Sequence, residues 1–214
     1  MQIITRATAM QNLKKYVGRD LRELAKQHGI TTYETGKQNK GWKGLVLERL
    51  AGLETNISKA PNGLSYELKS VAFRYTNGLL KPKETMAIAM INAEELKGQS
   101  FFESHCWAKL KSMIFCAVMW HGKNAQKAEL LKVASLDFTK DDELIQEITT
   151  DYDLIRKKLI ANGFDFLKSA DGKWIQARTK GTGGINPRTG IPRPKTRAFY
   201  ARTCLVKMIF EMAG

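Results

Sequence analysis

The sequence lacks long apolar runs, contains little cysteine and has far fewer acidic than basic residues. No stretch reaches the roughly 18 apolar residues of a membrane-spanning helix, and no basic-then-apolar signal peptide opens the chain. The three cysteines, Cys106, Cys116 and Cys204, match no zinc-ligand spacing. We therefore expect a cytoplasmic protein without a membrane partner, whose cysteines are buried free thiols in a reducing environment.

The charge balance is the strongest compositional feature. The chain has 35 Lys and Arg against 21 Asp and Glu, a formal net charge of +14, and a pI near 9.7. Such an excess predicts a polyanionic partner, with nucleic acid favoured over a membrane surface. A length of 214 residues and 43% hydrophobic content predict one cored domain, or one domain with two lobes.

Residues 40–73 are the stretch around which the rest is organised. Its first half has leucines at roughly helical spacing, and Gly52 provides a stop signal. A polar loop with Pro61 and Gly63 follows, and residues 64–73 alternate as a strand does. Alternation places Glu67 and Lys69 on one face of an otherwise apolar strand. Burying an isolated charge costs several kcal/mol, roughly, so this pair needs an explanation.

A metal-dependent nuclease site is one explanation, because phosphodiester hydrolysis uses carboxylates to hold a divalent cation and a lysine near the attacking water. Glu-x-Lys alone is weak evidence, since Glu95-Leu96-Lys97 has the same spacing in a polar stretch and such pairs are commonly solvated. The strand pattern and the preceding helix, which carries Glu48, favour the functional interpretation of the first pair.

Other segments predict a mixed α/β chain. Residues 7–28 are typical of one or two amphipathic helices, and 140–159 of an acidic amphipathic helix with Leu144 and Leu154 among its inward positions. Residues 86–91, 113–120 and 130–138 predict strands. Asn77-Gly78 predicts a hairpin turn that would pair 86–91 with the strand at 64–73. His105 and His121 have no partner at ligand spacing, which favours structural roles over metal binding.

The C-terminal part is basic and rich in Gly and Pro. Residues 173–202 contain eight Lys or Arg and no acid, and enclose GTGGINPRTGIPRP between two predicted strands, the second leading into a closing helix. Arginines can bond guanine edges bidentately, so this segment suits a loop that enters a DNA groove. The alternative is a disordered basic loop that only neutralises phosphates.

Several segments together resemble the MutH family of sequence-specific DNA endonucleases, which includes GATC-cutting restriction enzymes and the mismatch-repair nickase. These are KGWKGLVLERLAG, SKAPN, GLSYELKS, KPKETMAIAMI, SHCWAKLKSMIFCAV, GKWIQARTK and RAFYARTCLVKMIF. The resemblance implies a PD-(D/E)xK restriction-endonuclease-like mixed sheet flanked by helices. It implies a single domain over 1–214, with the N-terminal helices and catalytic core forming one lobe beside a DNA cleft and residues 173–202 the other.

The resemblance also implies site residues. Glu48, Asn62 and Glu67 would hold Mg²⁺, with Mn²⁺ as an alternative; Lys69 would orient the water, and Lys109 would stabilise charge on the phosphate. Lys111 would follow Lys109 on the same side of an extended chain. Arg178 and Lys180 fall on family residues near the recognised bases, and Tyr200 falls on a tyrosine tied to sensing adenine methylation. The further candidate DNA-binding residues are Lys40, Arg188, Arg193, Lys195 and Arg197.

Asn62 departs from the family pattern, which has an aspartate in that loop. The change is engineered, or natural and tolerated, or the metal acid comes from elsewhere. We therefore expect a Mg²⁺-dependent type II restriction endonuclease of prokaryotic or phage type, acting on double-stranded GATC-like sites as a monomer or transient dimer. The alternatives are a strand nickase and a DNA-binding protein with an inactive nuclease site.

Overall fold

The structure is a computed structural model that describes residues 4–34, 37–39, 41–53, 65–122, 126–180, 185, 189–191 and 196–212. Its helices are α1 (Arg6–Lys14), α2 (Leu21–Gln27), α3 (Trp42–Ala51), α4 (Ala93–Gly98), α5 (His105–Leu110), α6 (Glu143–Asn162) and α7 (Thr203–Met212). Its strands are β1 (Tyr33–Glu34), β2 (Lys37–Gln38), β3 (Glu67–Thr76), β4 (Leu79–Pro82), β5 (Met86–Met90), β6 (Ser112–Met119), β7 (Leu130–Asp137), β8 (Ile175–Lys180) and β9 (Thr196–Ala201). Among the described residues, no helix is both long and apolar enough to span a bilayer.

Two sheets form the framework. The larger has the order β4-β3-β6-β7, in which β3 and β6 run parallel and the outer pairings are antiparallel. The smaller has the order β5-β9-β8 and is antiparallel, and β1 pairs with β2 as a short ribbon. The predicted mixed α/β class, with a curled mixed sheet flanked by helices as in restriction endonucleases, is confirmed.

The hairpin after β3 has a different partner from the one predicted. Asn77 and Gly78 both have positive φ, 52° and 74°, as a tight hairpin turn requires. They connect β3 to the short strand β4, whereas β5 pairs with β9 in the smaller sheet. The prediction that 86–91 pairs with the 64–73 strand is therefore wrong. A four-residue strand ending in proline gives little sequence signal, and the pairing of β5 with β9 is set by contacts distant in sequence.

The core lies on both faces of β3, as its alternation predicts. Val71 and Phe73 pack on one side with α5, α6, α7 and the smaller sheet. Tyr66 and Leu68 pack on the other side with α1, α2 and α3. Fully burying a side chain such as Phe73 contributes about 1.5–3 kcal/mol. The strand that carries the predicted site is therefore held rigidly from both sides.

Helix α6 fixes the start of the C-terminal sheet. The Asp151 carboxylate is buried and accepts hydrogen bonds from the backbone N–H groups of Lys173, Trp174 and Ile175 at 2.8, 2.6 and 3.0 Å. Gly172 has a φ of +85°, and a Cβ there would lie 2.1 Å from the Ile175 carbonyl oxygen, so only glycine fits this approach. The acidic helix is thus structural at this position. The prediction that Leu154 faces inward is wrong, because it is 40% exposed.

The cysteines divide into two kinds. All three are free, but only Cys106 and Cys116 are buried, so the expectation that Cys204 is buried is wrong. Burial raises the pKa of the Cys116 thiol to about 12 and also raises that of Cys106. Cys204 lies on the exposed side of α7, where its Sγ contacts the Lys173 carbonyl oxygen at 3.3 Å.

Candidate active site

Glu67 and Lys69 lie at the start of β3, where the sheet has an open edge. Strand β4 pairs only with residues 73–76 of β3, so in the described part of the chain no strand covers this side of Glu67 and Lys69. On the other side, β6 pairs with β3 from Glu67 onwards. Glu67 is 3% exposed, and the Lys69 Nζ lies 2.7 Å from its Oε1. A buried carboxylate thus faces an accessible edge.

Helix α5 brings a second lysine to the same carboxylate oxygen. The helix begins at Ser104, whose Oγ accepts a hydrogen bond from the Trp107 backbone N–H at 3.2 Å. Lys109 lies in its last turn, and its Nζ is 3.3 Å from the Glu67 Oε1. The predicted role of Lys109 at the site thus has a geometric basis. The prediction of an extended chain shared with Lys111 is wrong, because this segment is helical.

A second carboxylate comes from α3. Gly52 ends this helix in the left-handed conformation, with a φ of 85°, and Glu48 lies one turn earlier. Burial raises the pKa of Glu48, and the negative charge of Glu67 raises it further, while Lys69 opposes both effects. A carboxylate whose ionisation is disfavoured by a neighbouring carboxylate is in the kind of environment that a bound cation stabilises.

The lysines of the site also influence one another. Burial lowers the pKa of Lys69, the adjacent Glu67 raises it, and the charges of Lys109 and Lys180 lower it further. The effect of Lys180 is informative, because this residue lies on β8 of the smaller sheet. The charge at the end of β8 therefore acts on the lysine that pairs with Glu67.

The residues present fit a hard divalent cation in part. Glu48 and Glu67 supply carboxylate oxygens, the ligands that Mg²⁺ prefers. In the ranges that the structure describes, no group of three or more His, Cys, Asp and Glu forms a metal cluster. Asn62, the predicted third ligand, lies outside those ranges. His105 is hydrogen-bonded through Nδ1 to the Glu95 Oε2 at 3.1 Å, as its predicted structural role requires.

Strands β8 and β9 carry the predicted DNA-reading residues that the structure describes. The Arg178 guanidinium stacks over the Tyr200 ring, with the guanidinium carbon 5.6 Å from the ring centroid. Its Nη1 donates a hydrogen bond to the Thr85 Oγ1 at 2.8 Å. Lys180 and Arg197 lie on the same two strands. The remaining predicted DNA-binding residues, Lys40, Arg188, Arg193 and Lys195, lie outside the described residues.

Thr85 is a residue that sequence reasoning missed. It precedes β5, and Arg178 is 93 positions away in the chain, so no local pattern connects them. A threonine has no special sequence signal, and the pairing depends on the smaller sheet bringing β5 and β8 to either side of β9.

Comparison with known proteins agrees with this geometry. The family model for the DNA mismatch repair enzyme MutH matches residues 54–148. A DNA mismatch repair protein MutH from Vibrio campbellii is 25% identical over 211 residues, covering 95% of this chain and 92% of that protein. Corresponding proteins from Vibrio cholerae and Escherichia coli O17:K52:H18 are 23% and 25% identical, over 98% and 76% of this chain and 94% and 70% of their own lengths. These similarities support a MutH-type nuclease family for the chain.

The similarity supports a deoxyribonuclease, in agreement with the predicted enzyme class. The MutH family model spans the described residues Glu67, Lys69 and Lys109, but it ends before β8 and β9. Only the pairwise similarities extend to the strands that carry Arg178 and Tyr200. The comparisons therefore cover the predicted nuclease core more broadly than the strands predicted to read the DNA sequence.

Proposed function

We propose that the protein is a Mg²⁺-dependent, sequence-specific endonuclease that cuts both strands of double-stranded DNA at GATC-like sites, as a type II restriction enzyme does. The observation that carries this proposal is the meeting of Lys69 and Lys109 on one oxygen of the buried Glu67, with Glu48 beside it. A structural ion pair needs one lysine, whereas hydrolysis of a phosphodiester uses separate cations for the water and for the phosphate.

Each side chain has a defined part in this reaction. Glu48, Glu67 and Asn62 would hold the metal, which when bound activates water and polarises the phosphate. Lys69 orients the attacking water, and its lowered pKa makes its ammonium a better proton donor and its neutral form accessible nearer neutral pH. Lys109 donates to a phosphate oxygen as negative charge develops there. Mn²⁺ would serve in place of Mg²⁺, because its preference for oxygen ligands is similar.

The Arg178 guanidinium is preorganised to contact a base. Its stacking on Tyr200 and its hydrogen bond to Thr85 restrict the guanidinium, which reduces the entropy lost when it bonds a guanine edge. Lys180, Arg197 and the basic residues beyond would contact the same duplex. We place DNA between two lobes of one domain spanning 1–214, bound by a monomer or a transient dimer in the cytoplasm.

Two other functions have specific support. The relatives named above are mismatch repair proteins, which favours a nickase that cuts one strand. Asn62 in place of the family's loop aspartate favours a DNA-binding protein without cleavage, whether that asparagine is natural or engineered. Glu48, Glu67, Lys69 and Lys109 together favour retained catalysis.

A plasmid assay distinguishes the three. Supercoiled plasmids with and without GATC sites are incubated with the protein in Mg²⁺, in Mn²⁺ and in EDTA, and the products are separated by gel electrophoresis. We expect metal-dependent linear fragments from the GATC plasmid alone. Nicked circles as the end product would replace the restriction assignment by the nickase, and shifted but uncut plasmid in both metals would identify the DNA-binding protein.

A further inference from the structure

A second charged feature lies apart from the carboxylate cluster. An open cavity of about 690 Å³ lies on the face of the larger sheet that packs against α2 and α3. Its base is formed by Ser70 and Ala72 of β3 and by Val118 of β6, and the first turn of α3 forms one wall. None of the residues assigned to the nuclease site lines it.

Cations dominate the lining of this cavity, which includes Arg22, Lys43, Lys83 and Lys127. Glu84 is the carboxylate among its lining residues. It contacts Lys83 only at 4.0 Å, with 54% of its side chain exposed, so it neutralises little of this charge. Lys127 is paired with Glu129 at 3.3 Å. Among the residues that the structure describes, the lining thus carries more positive than negative charge.

Three of these cations lie against tryptophan rings. Arg22 and Lys43 lie over the Trp42 ring, at 5.2 and 5.9 Å from its centroid, and Lys83 lies 4.9 Å from the centroid of Trp120. Burial lowers the pKa of Lys43, Glu84 raises it, and the charges of Lys83 and Arg22 lower it further. The charges of Lys83 and Arg22 thus repel that of Lys43, and an anion between them would relieve the repulsion.

The N-terminus of α3 adds to the positive electrostatic potential of the cavity. Helix α3 has ten residues, and Gly41 before it provides no side-chain cap. The first N–H groups of a helix carry partial positive charge and bind anions. The Trp42 N–H donates to the Asn39 carbonyl oxygen at 3.2 Å, whereas Lys43 and Gly44 of the same turn line the cavity. The terminus thus adds to a site that the side chains define.

We propose that this cavity binds one backbone phosphate of the DNA substrate, outside the recognised bases. The proposal rests on the proposed function, since it takes the anion to be DNA. Ser70 is three residues from Glu67 along β3, so it faces the opposite side of the strand from the Glu67 carboxylate. The bound phosphate is therefore separate from the phosphate at the bond that is cut.

The first test is the salt dependence of DNA binding. Fluorescence anisotropy is measured without metal for the wild type, Lys43→Gln, Lys83→Gln and the control Lys97→Gln, whose lysine is exposed on α4 and paired with Glu94. We expect Lys43→Gln and Lys83→Gln to weaken binding about three- to tenfold at low salt and to reduce the slope of log K against log salt by about 0.9. The loss should be equal on GATC and random duplexes, because a phosphate contact carries no sequence information. Lys97→Gln should match the wild type.

Glu84→Gln should change DNA binding in the opposite direction from the lysine variants, so it distinguishes a charge effect from a loss caused by misfolding. Removing a negative charge from the cavity should strengthen binding, whereas general damage would weaken it. Thermal unfolding of every variant is recorded alongside. Unchanged salt slopes for both lysine variants, or weaker binding by Glu84→Gln, would overturn the proposal.

Modified DNA locates the phosphate. Duplexes carry one uncharged methylphosphonate at each of the first five positions flanking the cut bond. We expect one position to weaken binding by the wild type but not by Lys43→Gln, because the partner charge is already absent. Equal effects of every substitution on both proteins would reject the cavity as a phosphate site. A wild type that binds and cuts DNA while showing these equal effects refutes only this proposal, whereas a wild type that does not bind DNA refutes the proposed function.

Discussion

The tripeptide Glu-Leu-Lys occurs twice in this chain with different consequences. In Glu67-Leu68-Lys69 it lies on β3, where residues two apart share a face, and the two side chains meet at 2.7 Å. In Glu95-Leu96-Lys97 it lies on α4, where residues two apart do not face each other. There Glu95 contacts His105 at 3.1 Å, and Lys97 pairs instead with Glu94 at 3.0 Å. Identical residues make a site only where the strand period aligns them.

The surroundings of the two regions differ as much as their geometry. Glu67 has 4% of its side chain exposed and receives a second lysine from α5, while the Glu94–Lys97 pair is 82% and 48% exposed. An exposed pair contributes about 0–1 kcal/mol, so substitutions on α4 should have little effect. Glu67 and Lys69 are costly to bury, which is typical of functional sites. Four changes test the contrast and the site built around Glu67, in decreasing order of expected effect.

Of these four changes, the largest effect is expected from Lys69→Met. Removing the ammonium should reduce single-turnover cleavage by about 10²–10³-fold, the usual cost of losing one charge-stabilising group. DNA binding without metal should change little, because Lys69 lies at the buried base of the site. Lys97→Met is the matched control and should cut as the wild type does. Equal rates for Lys69→Met and Lys97→Met would remove the distinction between the two tripeptides.

The second largest effect is expected on β8, whose Arg178 is proposed to contact a base. Arg178→Ala should cost about 1–3 kcal/mol of binding on a GATC duplex, because a bidentate contact to guanine is lost. Competition binding against a random duplex measures this directly. A loss of the same size on random DNA would show that Arg178 holds only the backbone.

A gain of activity is expected from Asn62→Asp. The substitution restores the negative charge that the family pattern has at this position, and Mg²⁺ depends on carboxylates to bind well. Cleavage should rise at least about tenfold, a barrier change near 1.4 kcal/mol. Rates are compared across a Mg²⁺ titration. If the aspartate form cuts no faster at any concentration, the missing ligand lies elsewhere.

The smallest effect is expected from Thr85→Val, which keeps the shape of the side chain but removes its hydrogen bond to Arg178. The expected loss is about 0.5–1.5 kcal/mol of binding, restricted to the GATC duplex. Thr85→Ser keeps the hydroxyl and should restore wild-type binding. If Thr85→Ser loses as much as Thr85→Val, the hydrogen bond is not what positions the arginine.

Much of the site could be predicted because its signals are local. The alternation around Glu67 and the helical leucines before Gly52 both lie within single elements. The helical placement of Lys109, the partner of β5 and the contact between Thr85 and Arg178 could not be predicted in this way. Each depends on packing between elements far apart in the chain, and short elements such as α5 and β4 carry weak periodicity.

The most direct test compares Glu67→Gln with Glu95→Gln, in the Asn62→Asp background if the parent chain cuts slowly. Both changes remove one carboxylate charge from a Glu-Leu-Lys tripeptide and keep its shape. Single-turnover cleavage of a GATC duplex is measured across a Mg²⁺ titration. The account predicts that Glu67→Gln shows no measurable cleavage at any Mg²⁺ concentration, while Glu95→Gln follows its parent. Cleavage by Glu67→Gln at the parent rate, or an equal loss in both variants, would contradict it.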